Sequence, residues 1–146
     1  SKLGCEEDAY FGVDPIGVEF GGGGLSTTLR DLARFGEMMR CEGQFNGQSI
    51  VPAAVVADIR AGGRKEHFAA SAYTHLKGWS YRNMWWVSHN PHGAFEARGI
   101  CGQKVFVDPA AEVVIARYAS HPMMPNTLID PVSLPAMHAM ACALRG

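Results

Sequence analysis

A block of charge of one sign is missing from this sequence. Thirteen lysines and arginines stand against fourteen aspartates and glutamates, for a formal net charge of −1. Without a basic patch, neither nucleic acid nor an acidic membrane surface is expected as a partner. A long apolar run is missing as well. The most apolar stretch, Pro135 to Leu144, is interrupted by His138 and is too short to span a bilayer. The cysteines are few and scattered. Cys5, Cys41, Cys101 and Cys142 form no Cys-x-x-Cys pair and no framework of the secreted type. They are expected to be mostly buried thiols, which leans towards a reducing, cytoplasmic compartment. The histidines (His67, His75, His89, His92, His121 and His138) include no His-x-x-x-His spacing, so no metal site is expected, and no cofactor. The chain starts Ser1-Lys2-Leu3-Gly4, without an initiator methionine or a signal peptide, and is expected to begin inside a longer protein.

What is present is a globular mixture. Apolar residues make up 47% and charged residues 18%, far from the composition of a disordered chain. A length of 146 residues suits one domain that buries roughly 68–70% of its unfolded surface. The first twenty residues read as loop. Gly21 to Gly24 lacks the Lys-Ser/Thr ending of a phosphate-binding loop, so a tight turn is expected there.

A helix follows. Thr28 and Asp31 form a start like a capping box, and Leu29, Leu32, Ala33, Gly36 and Met39 recur at helical spacing. Gly43 can end it with a left-handed cap. Pro52 suits the first turn of a second helix, which stops at Gly62-Gly63. The segment Arg64 to Lys77 has no clean period and is long for a loop, which favours a functional surface segment. Strands are expected over Trp79 to Ser88, Ala94 to Ile100, Gln103 to Val107 and Val113 to Tyr118, the last two joined as a hairpin. His89-Asn90-Pro91-His92 reads as a turn. Asp130-Pro131 or Ser133 can cap a final helix through Leu144. Helices, then an antiparallel sheet, then a closing helix make an α+β pattern without βαβ alternation.

Two stretches together carry a resemblance. Gly22-Gly23-Gly24-Leu25-Ser26-Thr27-Thr28-Leu29-Arg30-Asp31-Leu32-Ala33-Arg34-Phe35-Gly36 resembles a helix start of the class C β-lactamase and penicillin-binding-protein-like serine hydrolases. Gly99-Ile100-Cys101-Gly102-Gln103-Lys104-Val105-Phe106-Val107-Asp108-Pro109, followed by Val113-Val114-Ile115, resembles their strand pair beside the active site. With Trp85-Trp86 ahead of it, the chain looks most similar to the 6-aminohexanoate-dimer hydrolase branch. The resemblance runs from about Leu3 to Leu144. It implies that residues 1–146 are the C-terminal portion of a single β-lactamase-like domain, with an antiparallel sheet flanked by helices.

The resemblance also implies chemistry. In the family, the serine of a Ser-x-x-Lys motif attacks an amide or ester carbonyl, and a lysine and a tyrosine handle the proton. No serine here is followed three residues later by lysine. Nucleophile, base and motif tyrosine are therefore expected in a missing N-terminal part of the same protein. Tyr81-Arg82-Asn83 spells Tyr-x-Asn but falls inside an expected strand. Ala97-Arg98-Gly99 stands where the family has Lys-Thr-Gly, so the cationic first position is lost. Arg98 should face away from Ala97 and Gly99, because strand side chains alternate.

The site residues implied are Ile100, whose main-chain N–H matches an oxyanion-hole donor, and Gly99 and Ala97 on the wall. Trp85 and Trp86 can line a pocket for an apolar acyl chain, although strand tryptophans are more often core. The expected partners are a small amide or ester substrate and the N-terminal part. Cut away from that part, the chain is expected to be inactive and to self-associate. The other reading is a binding or structural domain that keeps the fold without the chemistry.

Overall fold

A computed structural model describes residues 2–145. The chain opens with an arm in which β1 (Tyr10–Phe11) and β2 (Leu25–Ser26) pair antiparallel. The glycine run makes the expected turn. Gly23 N–H donates to Phe20 O, and Gly24 adopts a φ of +74° that favours glycine. The arm leaves Tyr10, Val13, Ile16, Val18 and Phe20 exposed.

Helix α1 (Leu29–Arg40) starts as its sequence dictates. The hydroxyl of the cap residue Thr28 accepts the Asp31 N–H at 3.1 Å. Asp31 does more than a capping-box carboxylate, which would reach back to the cap's own N–H. It accepts the N–H groups of Glu6 and Glu7 and the guanidinium of Arg34, and so ties the N-terminal segment to the helix. A short ribbon of β3 (Gln44–Phe45) and β4 (Gln48–Ser49) leads to α2 (Ala53–Ala61), which ends at Gly62 with φ +72°. The segment that lacked a period holds one short helix, α3 (Lys65–Ala69).

Five strands then form an antiparallel meander in chain order: β5 (Ser80–Arg82), β6 (Trp85–Val87), β7 (Phe95–Arg98), β8 (Lys104–Asp108) and β9 (Val113–Arg117). The stretch Trp79 to Ser88, expected as one strand, is two strands folded about Asn83-Met84. Both turn residues have positive φ, 48° and 70°, as a tight two-residue hairpin demands. The expected β8–β9 hairpin is present, with Val107 opposite Val114. Helix α4 (Asp130–Leu144) closes the chain. Asp130 does not cap it. Its carboxylate is only 1% exposed and points into the protein.

The two faces of the sheet are covered differently. Alternation along β7 and β8 sends Phe95, Ala97, Val105 and Val107 towards α1 and α2, where they pack with Met38, Met39, Val56 and Ile59. Gly36 lets α1 lie close: a Cβ there would come within 2.6 Å of Val114 and 2.8 Å of Val105. On the other face Phe106 and Val113 pack with Met137 and Ala141 of α4. The cysteines are less buried than expected. Cys5, Cys41 and Cys101 are half-buried, Cys142 is exposed, and no disulfide joins any of them. Among the described residues, no helix is long and apolar enough to cross a membrane.

Candidate functional site

The turn after β7 is held by its own backbone and by the segment that leads to α4. Gly99 N–H donates to Gln103 O at 2.9 Å, and Gln103 N–H to Ile100 O at 3.2 Å. Cys101, at φ 56°, donates to Met124 O at 3.0 Å. Gly102 N–H donates to the Asn126 side-chain oxygen at 2.9 Å. Each of these N–H groups is satisfied. That of Ile100, the residue between them, donates to no described group, and Ile100 is 62% exposed.

A cleft of about 290 Å³ opens over this turn, walled by Tyr73, Trp86, Arg98, Gly99 and Ile100, with Asn126 at its edge. A second hollow of about 540 Å³ lies alongside, bordered by Arg64, His67, Phe68, Ser71 and Tyr81. Tyr73 and Trp86 wall both. Their rings meet edge to face with centroids 4.6 Å apart, and Phe68 and Tyr81 also pack edge-on against Trp86. The irregular 70–78 segment thus delivers Tyr73 to the cleft. One end of the cleft is aromatic and the other presents backbone.

Beneath Trp86 lies a buried charge cluster. Arg98 Nη1 bonds Glu96 Oε1 at 2.6 Å, and Arg98 Nη2 bonds Asp130. Lys104 Nζ reaches Asp130 Oδ1 at 3.1 Å and Glu96 Oε1 at 3.5 Å, and His75 Nε2 lies 2.7 Å from Asp130 Oδ2. Burial pushes the Glu96 carboxyl above the usual range, against the pull of Lys104 and Arg98. Burial also works to raise Asp130, but the bonds from His75 and Arg98 prevail and hold it below the ordinary value. The cluster fixes the floor of the cleft and pins His75, two residues from Tyr73, to the start of α4.

Of the residues expected at a site, Gly99, Ile100 and Trp86 come together at the cleft. Trp85 and Ala97 do not. Trp85 is 6% exposed and packs between Phe35 and Phe95, with centroids at 6.0 and 5.1 Å. Ala97 points into the core beneath α1 and α2. Arg98 does face opposite to Ala97, as alternation requires, but the cleft lies on the Arg98 face. Tyr81 borders the larger hollow, where its hydroxyl bonds Met84 Sδ at 3.2 Å. Tyr73, Asn126 and the cluster around Asp130 were not read from the sequence. An asparagine beside a proline in the connection to α4 was the only local signal for Asn126.

No family model matches the chain. It is 37% identical over 123 residues to the 6-aminohexanoate-dimer hydrolase of Paenarthrobacter ureafaciens, a match that covers 84% of this chain and 31% of that protein. Its fold superposes with a TM-score of 0.84 on a solved Bacillus anthracis protein provisionally named a 6-aminohexanoate-dimer hydrolase. That match is 35% identical and covers 99% of this chain and 36% of the other. The chain therefore spans about a third of the length of these relatives. By sequence and by fold together, it is a relative of the 6-aminohexanoate-dimer hydrolases and carries part of their β-lactamase-like fold.

Proposed function

We propose that the protein to which this chain belongs hydrolyses amide or ester bonds through an acyl-enzyme, and that this chain supplies the oxyanion donor and one wall of the substrate cleft. The observation that carries the reading is the Ile100 N–H, free of any described partner at a cleft, in a turn whose other N–H groups, those of Gly99, Cys101, Gly102 and Gln103, are all satisfied. A serine from outside residues 1–146 attacks the substrate carbonyl carbon. The C=O π pair moves to oxygen as the new C–O bond forms, and the Ile100 N–H donates to the developing oxyanion. A donor already oriented for that charge costs no reorganisation during the step, and removing one typically slows turnover by about 10²–10³. Collapse of the tetrahedral intermediate expels the amine or alcohol, which takes up the proton that the serine hydroxyl gave to a base outside residues 1–146, and water then attacks the acyl-enzyme, releasing the acid and restoring the serine hydroxyl. The aromatic wall of Tyr73 and Trp86 suits an apolar acyl chain.

The test is a fluorophosphonate probe with a p-nitrophenyl ester assay on the full-length protein. One serine outside residues 1–146 should be labelled, with loss of turnover, and this chain alone should be neither labelled nor active. Stoichiometric labelling of a serine within the chain would overturn the assignment. Absence of both labelling and turnover in the full-length protein would favour a binding domain without chemistry.

A further inference from the structure

We infer that Asn126 is a positioning residue that aims and polarises the Ile100 N–H; this rests on the acyl-transfer reading of the cleft. The Asn126 side chain belongs to a residue only 7% exposed, on the short 3-10 turn Asn126–Leu128 that precedes α4. Its Nδ2 donates to Gly99 O at 2.9 Å, and its Oδ1 accepts the Gly102 N–H at 2.9 Å. A carbonyl on one side and an N–H on the other admit only one orientation of the amide.

The Gly99 carbonyl and the Ile100 N–H are two ends of one peptide unit. In a planar trans peptide they point in opposite directions. Anchoring Gly99 O to Asn126 therefore turns the Ile100 N–H away from Asn126, and it leaves that N–H without a described partner. Rotating this peptide would break the Nδ2 bond. The same bond draws electron density towards Gly99 O and makes the Ile100 N–H a stronger donor, as chained hydrogen bonds do. The second bond, to Gly102, holds the far side of the turn, where Cys101 sits at φ 56°. A left-handed residue other than glycine persists only where its surroundings fix it. The Met124 and Asn126 contacts on either side of Cys101 do so.

Asn126→Asp in the full-length protein is the test. It keeps the shape and the acceptor for Gly102, but removes the donor to Gly99 O and faces that oxygen with negative charge. The expected result is a kcat, per labelled active site, lower by about tenfold to a hundredfold, with KM within about threefold of wild type. The inhibition constant of a boronic acid, which forms a tetrahedral adduct with the nucleophile, should weaken by a similar factor. Asn126→Ser is read in the same way should the aspartate variant fail to fold. A merely structural asparagine would lower the melting temperature and the fraction of labelled sites, yet leave kcat per labelled site and boronate affinity unchanged, and that result overturns the proposal. It is also overturned if neither variant folds. A wild-type protein that neither labels nor binds the boronate would instead bring down the acyl-transfer reading beneath it.

Discussion

The guanidinium carbon of Arg98 lies 4.9 Å from the centroid of the Trp86 ring, so the wall shared by both hollows rests on a buried cation. The same guanidinium bonds Glu96 and Asp130, and its side chain is 3% exposed. Removing it would leave two buried carboxylates with Lys104 and His75 as their remaining partners. Breaking such a buried cluster by deleting one partner typically costs about 3–5 kcal/mol. Arg98→Ala should therefore destabilise the protein by that order in urea unfolding. Arg98→Lys should lose less, because charge remains while the forked hydrogen bonds and the stacking on Trp86 are lost.

Neighbouring tryptophans on β6 should separate cleanly. Trp85 fills the core between Phe35 and Phe95, so Trp85→Ala should cost about 3–5 kcal/mol of stability. Trp86 is half-buried and walls the cleft. Trp86→Ala should raise KM for substrates with long apolar acyl groups more than for acetyl esters, with a smaller loss of stability. Unfolding curves beside KM values across an acyl-length series check both.

The sequence made helix α1 legible because its information is local: a cap at Thr28 and an apolar period; the left-handed cap expected at Gly43 falls one residue earlier, on Glu42 at φ 54°, while Gly43 N–H donates to Met38 O at 2.9 Å. The β8–β9 hairpin was legible for the same reason. The β5–β6 hairpin was not, because Met84 adopts positive φ without the glycine that usually announces such a turn. Asp130 looked like a helix cap, and only the fold shows that Arg98, Lys104 and His75 claim its carboxylate. At the candidate cleft, Gly99 and Ile100 were legible through the resemblance and Trp86 through its residue type. Tyr73 and Asn126 reach the same cleft from distant segments, which local spacing cannot reveal. Trp85 and Trp86 show the limit of composition: adjacent and identical in type, they are sent to opposite faces by the pleat.

Asp31 should govern part of the acid stability. The Glu6 N–H chiefly, with the Thr28 hydroxyl, Arg34 and the Glu7 N–H acting against desolvation, lowers its carboxyl to about 2. An unfolded aspartate titrates near about 3.9. A depressed folded pKa contributes stability that is fully present above the unfolded value and lost as pH falls through the folded one. Wild type should therefore lose stability between about pH 4 and pH 2. Asp31→Asn should be less stable at neutral pH and lose less over that interval. Denaturant midpoints measured across the interval check the slope; equal slopes in the two proteins would refute it.

Gly99 is not required for its backbone conformation, since its φ of −105° is open to any residue. What it provides is space beside Gln103: a Cβ at position 99 would stand 2.8 Å from Gln103 Cβ and 3.3 Å from its Cγ. Those atoms are the stem of the side chain, so they cannot swing aside as a flexible end would. Gln103 is itself held: its amide donates to Ala119 O and accepts the Ala119 N–H at 3.2 Å. An added side chain must therefore displace the 99–103 turn, and with it the Ile100 N–H, rather than project into the cleft. Gly99→Ala should reduce turnover at least about tenfold and Gly99→Val about a hundredfold, since misplacement by about 1 Å can cost that much. Overpacking of this kind should also cost about 1–3 kcal/mol of stability. Gln103→Gly in the Gly99→Ala background removes the opposing Cβ. If the contact with Gln103 is the cause, the double variant should turn over faster than Gly99→Ala alone. A double variant no faster than the single one would show that the alanine acts by entering the cleft instead.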